Sequence, residues 1–137
     1  MTELFKTALR GAACLTLMAS ATLALPGTPW KRAELFATCS GRLAAMAAHQ
    51  QAMDQPGWTA TLDRRDSFDL MLEATLPEAI AHGVPRDEAK RWRAHGWTEI
   101  AVLLADSSYS FDEGRARRAR AALQARIGDC QSVLLGG

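Results

Sequence analysis

The sequence predicts an all-α protein: an antiparallel four-helix bundle-like domain with one disulfide over residues 25–137, preceded by a cleaved signal peptide at residues 1–24. Three observations predict it. Apolar residues recur at spacings of three and four in four separate stretches, the period of one helix face. Prolines, glycines and capping residues punctuate the chain between those stretches. Three cysteines become two once the leader is removed.

The leader comes first in the chain. Lys6 and Arg10 charge a short n-region, and an uncharged run from Gly11 to Leu25 follows. Ala19-Ser20-Ala21 is an A-x-A cleavage site, and Thr22-Leu23-Ala24 is a second. Cleavage at either removes Cys14 and leaves Cys39 and Cys130, free to pair in an oxidising compartment. A membrane anchor would need about 20 strongly apolar residues. This run is shorter, rich in Ala and Thr, and closed by Pro26-Gly27-Thr28-Pro29, so no stable membrane insertion is expected after cleavage. Cys14 sits near the start of the run, where a lipid anchor does not use it. An export signal without a eukaryotic hallmark points to a bacterial periplasm, or to release as a secreted protein.

The first helix opens at Thr28-Pro29, a capping residue followed by the proline that a first helical turn tolerates. Phe36, Cys39, Leu43, Met46, Gln50 and Met53 form its seam, and Gln55-Pro56-Gly57 stops it. A weak strand-like alternation follows at Trp58-Thr59-Ala60-Thr61-Leu62. Asp66 is the next expected cap. Phe68, Met71, Leu72, Thr75, Ala79 and Ile80 give the second helix its apolar face, Pro77 is expected to kink or split it, and Gly83 ends it. Pro85 opens the third segment with Asp87 and Glu88 in its first turn, where the helix dipole favours anions. Its stripe is Ala89, Trp92, Gly96, Ile100 and Leu103, and Asp106-Ser107-Ser108-Tyr109 is expected to break it. Ser110 and Glu113 match a capping box for the last helix, whose inward face reads Ala119, Leu123, Ile127, Cys130 and Leu134.

The cysteines fit four antiparallel helices. Cys39 lies a third of the way along helix one and Cys130 near the end of helix four, which are neighbouring levels in an up-down-up-down bundle. Both fall on seam faces, so a disulfide is expected. The competing role, a Cys39 nucleophile served by a distant histidine, asks for a free thiol where an oxidising compartment offers a partner.

Charge narrows the partners. The mature chain carries 14 basic and 14 acidic side chains, which argues against nucleic acid, whose binding rests on many phosphate contacts. The sharpest chemical constellation is Met46-x-x-His49-x-x-x-Met53. Thioether and imidazole donors suit Cu(I), and a copper cofactor held by His49 with Met46 or Met53 is the alternative reading. Met46 and Met53 stand about 10 Å apart along a helix axis, so one ion could take His49 and one methionine. The plainer reading makes both methionines seam residues. His82 suits a helix C-terminus, and His95 sits beside Gly96 with no carboxylate at a metal-motif spacing. No H-E-x-x-H, C-x-x-C, C-x-x-C-H, phosphate loop or G-x-S-x-G is present. Asp106–Asp112 superficially suggests a calcium loop, but its glycine position is Phe111 and its twelfth is Arg117.

The remaining feature is aromatic and basic surface. Trp92 and Trp97 project about 140° apart on a helix, so at least one is expected to be half exposed. Arg115, Arg117, Arg118 and Arg120, with Arg126 beyond, crowd the last helix. Trp and Arg are enriched at binding hot spots. The plainer reading is a solvated basic face paired with the acidic middle at Asp63, Asp66, Asp69, Glu73 and Glu78. The leading expectation is a small exported, non-enzymatic helical protein that binds a protein partner, as an adaptor, inhibitor, immunity factor or chaperone does, through Trp92, Trp97 and the arginines. An enzyme assembled from carboxylates and histidines that converge only in the fold is the remaining class.

Overall fold

A computed structural model of the chain describes residues 25–136. The leader, Cys14 and both cleavage sites lie outside the described residues. Four helices follow one another: α1 Pro29–Ala52, α2 Trp58–Ala81, α3 Glu88–Tyr109 and α4 Glu113–Leu135. No strand occurs among the described residues.

α1 begins as its sequence demands. Thr28 is the cap, its side chain accepting from the Lys31 amide at 3.3 Å, and Pro29 fills the first position. Phe36, Cys39 and Leu43 of the seam are buried, whereas Met53 is the exposed C-cap. α2 begins eight residues earlier than Asp66. Gly57, in the left-handed region at φ 96°, turns the chain so that Trp58 starts the helix, and the strand-like stretch is its first turn. The Thr61 hydroxyl, buried in that turn, donates to Gln50 Oε1 at 2.8 Å and holds α2 against α1. Pro77 neither splits nor ends α2, which continues to Ala81. Its ring faces solvent, four residues from the helix end, so the carbonyl that loses its amide partner can be hydrated.

Two further boundaries move. α3 runs through Asp106-Ser107-Ser108-Tyr109, because those polar groups are satisfied within the helix geometry. Ser107 Oγ donates to the Leu104 carbonyl, and Asp106 pairs with Arg115. The cap of α4 is Asp112 rather than Ser110: its carboxylate accepts from the Gly114 and Arg115 amides at 2.7 and 3.1 Å. Those amides hold the Asp112 carboxyl below its ordinary range.

The helices alternate in direction. Gln50–Thr61, Ser40–Asp69 and Arg32–Glu78 contacts run antiparallel between α1 and α2. Asp106–Arg115 and Glu99–Arg126 do the same between α3 and α4. α1 is the hub, packing along both α2 and α3, while α4 lies along α3 and touches α1 near one level. That level is the Cys39–Cys130 disulfide, fully buried, with its Cα atoms 5.6 Å apart. Around it Phe36, Leu43, Phe68 and Leu72 form the main core, the Phe36 and Phe68 rings tilted with centroids 6.2 Å apart. A smaller cluster of Ala45, Ile100 and Leu104 fills the other end of the α1–α3 seam.

α1 and α3 meet backbone to backbone. A Cβ at Gly41 would fall on the Arg93 carbonyl, and one at Gly96 on the Thr38 carbonyl. The two glycines form the notch that lets these helices touch. None of the helices among the described residues is long and apolar enough to cross a membrane.

Candidate functional site

Two carboxylates tie the helices together and frame the surface. Asp69 on α2 accepts from the Ser40 hydroxyl of α1 at 2.7 Å and from Arg93 of α3 at 2.5 Å. Glu99 on α3 accepts from Arg42 Nε of α1 at 2.8 Å and from Arg126 Nε of α4 at 2.5 Å. Burial pulls the Glu99 carboxyl upward, but the hydrogen bonds and charges of Arg126 and Arg42 outweigh it, so it titrates below its ordinary 4.5. A carboxyl lowered on folding stabilises the native state above its unfolded value, and that contribution drains away as pH falls through the lower folded value. Glu99→Gln is expected to cost about 1–2 kcal/mol at neutral pH, the scale of partly exposed charge-assisted hydrogen bonds. Denaturant titrations from pH 7 to pH 3 should show the wild type losing stability below about 4.5 more steeply than the variant. Parallel acid limbs would contradict the assignment.

Between α1 and α3 runs a furrow. On α3, Trp97, Ala101, Ala105 and Tyr109 stand four residues apart and share one stripe, with an aromatic ring at each end. Ala44, Ala45, Ala48 and His49 of α1 face them. Three successive hollows of about 410, 340 and 410 Å³ follow this side of α3. The first lies among Ser40, Asp69, Arg93 and Trp97, where α2 also contributes, and the second between α1 and α3 at Ala48, His49, Trp97 and Ala101. The third lies beyond α1, at the α3–α4 turn among Tyr109, Phe111 and Arg115. Neighbouring hollows share Trp97 and then Ala105 and Tyr109. The stripe extends about 18 Å at 1.5 Å per residue. Trp97 is 44% exposed, Tyr109 76%, and Phe111 wholly in solvent.

The residues singled out in sequence fall into different surroundings. Trp97 lies in the furrow and Arg115 at its far end, where it also pairs with Asp106 at 2.8 Å. Trp92 is half-buried against the main core. Arg120 donates to the Ser107 carbonyl at 3.2 Å, over the end of α3. Arg117 is 3.6 Å from Glu113 of its own helix, and Arg118 makes no ion pair among the described residues. Of the soft donors, Met46 packs against the Ile100 cluster, His49 lines the furrow, and Met53 ends α1 in solvent. Among the described residues no three His, Cys, Asp or Glu side chains are grouped to hold a metal ion.

Sequence reasoning passed over the alanines and the two aromatics at the α3–α4 turn. Their signal is the repeat at positions 97, 101, 105 and 109, which does not resemble a site because alanine carries no chemistry of its own. No family model matches the chain, and no curated protein or solved structure matches it either.

Proposed function

We propose that this chain is a small exported, non-enzymatic helical module that binds a protein partner, and that the partner lays an amphipathic helix in the α1–α3 furrow. The observation that carries the reading is the Trp97–Ala101–Ala105–Tyr109 stripe opposite Ala44, Ala45 and Ala48. Alanines on both walls let a third backbone approach closely, and the two rings, about 18 Å apart along α3, would each take an apolar anchor of an incoming helix, the anchors standing about three turns apart. Exposed Trp and Tyr supply large contact area at small cost in side-chain entropy. Export rests on the n-region, apolar run and A-x-A sites of residues 1–24, and the periplasm is the expected compartment.

One preparation tests both halves. The full chain is expressed in a bacterium with a photo-crosslinking residue at Ala101, and separately at exposed Lys90 as a control. The exported form should begin near Thr22 or Leu25 by intact mass, and an intact Met1 on it would overturn the export half. Ala101 should yield a defined crosslinked species that Lys90 does not. Trp97→Ala with Tyr109→Ala should remove it, since truncating a hot-spot aromatic costs about 2 kcal/mol or more, roughly thirty-fold in affinity. Crosslinks of equal yield from both positions, or a product indifferent to Trp97 and Tyr109, would overturn the furrow reading.

A further inference from the structure

We infer that a second copy of this chain docks through the outward faces of α2 and α4, in a contact separate from the furrow.

The two helices are charged in opposite senses. α2 carries five carboxylates against Arg64 and Arg65, and α4 carries five arginines against Glu113 and Asp129. These charges are not spent on one another within a molecule. α2 and α4 stand at the two ends of the packing order α2–α1–α3–α4, and no ion pair joins them among the described residues. The pairs that α4 makes are with α3 and with itself, through Asp106, Glu99 and Glu113.

Each helix also has a face with no partner. At 100° per residue, Asp63, Asp66, Leu70, Glu73 and Ala74 share the side of α2 opposite buried Phe68 and Leu72, and all five are exposed. Leu70 stands at the middle of that face, 68% exposed, with carboxylates on either side. Asp63 and Glu73 make no ion pair among the described residues. The corresponding side of α4 presents Arg117, Arg118, Ala121, Ala125 and Gly128. A Cβ at Gly128 would meet nothing within 4 Å, so this strip of small residues lies open to solvent. An apolar knob ringed by acids on one helix meets a small-residue strip headed by arginines on the other.

Because every copy carries both faces, the contact can form twice across a two-fold axis and close an isologous pair, or form once head to tail and propagate. Charge attraction between exposed faces steers the encounter and is screened by salt over about 10 Å at 0.1 M.

Sedimentation of the purified mature protein is the test. At low ionic strength the average mass should rise with protein concentration, and at high ionic strength it should return to that of one chain. Asp63→Lys with Glu73→Lys should leave the protein monomeric, and so should Arg117→Glu with Arg118→Glu. An equimolar mixture of the two variants should assemble again, because each reversed face then meets an opposite one. A wild type that stays monomeric across concentration at low salt overturns the inference, and needs no variant to fold. Association that survives high salt and both charge reversals overturns it too, since it would place the contact elsewhere. Trp97 and Tyr109 are untouched by these substitutions, so furrow binding and self-association can fail independently.

Discussion

Replacing Cys39 with serine lowers the stability of the oxidised domain by about 4–5 kcal/mol, the entropy returned to an unfolded chain by opening a loop of this length. The bond joins residues 91 apart in sequence. Both cysteines are fully buried against Phe36, Leu43 and Phe68, so the variant also leaves a serine hydroxyl and a free thiol in an apolar place. Much of a small domain's net stability is at stake, since such domains hold about 5–15 kcal/mol in all. Chemical denaturation of wild type and variant under oxidising conditions measures the loss directly. Thiol labelling of the unreduced, denatured domain, residues 25–137, should find no free sulfhydryl. Two labelled thiols, or an unchanged denaturation midpoint, would show that the bond does not hold this fold together.

Gly96→Val should be nearly as damaging. In an exposed helix position, replacing glycine with alanine removes a propensity penalty of about 1 kcal/mol, and replacing it with valine removes about half of that. At Gly96 the added Cβ lands on the backbone carbonyl of Thr38 and within 3.2 Å of the Arg42 amide. Backbone cannot swing aside as a side chain can, so α1 and α3 must separate. Separation loosens Ile100 and Leu104 against Ala45 and opens the furrow. Overpacking a tight contact costs about 1–3 kcal/mol and more where backbone is displaced, and the upper end applies here. Gly128→Ala serves as the internal contrast: nothing lies within 4 Å of the new Cβ, so it should stabilise by about 0.5–1 kcal/mol. Denaturation midpoints moving in opposite directions for these two glycines would establish the notch. A Gly96→Val protein as stable as the wild type would remove it.

The seams of α1 and α4 and the pairing of Cys39 with Cys130 were legible in the sequence, because apolar spacing and cysteine parity are global signals that local detail cannot disguise. The boundaries that moved were those set by one or two polar residues. Asp66 looks like a cap but lies on a solvent face of α2, while the turn that starts the helix depends on the backbone freedom of Gly57. Ser110 and Glu113 have capping-box spacing, yet Asp112 lies nearer the amides that need a partner and takes them. Pro77 reads as a break because a sequence does not say which way a helix position faces. The candidate site was less legible. Trp97 and Arg115 drew notice as residue types, but the furrow between them is built of alanine. Gly41 and Gly96 draw together the two helices that carry it, and that meeting is a property of the pair, which neither segment shows by itself.

α1 is both the earliest helix of the domain and its hub. A chain emerging from its N-terminus can assemble the α1–α2 hairpin early, from contacts close in sequence, but the pocket around Cys39 stays open until the last few turns arrive. Cys130, Val133 and Leu134 close it. The last turns of α4 are therefore the keystone of this interior. Losing Cys130, Val133 and Leu134 acts as a core deletion at the one level where α4 meets α1.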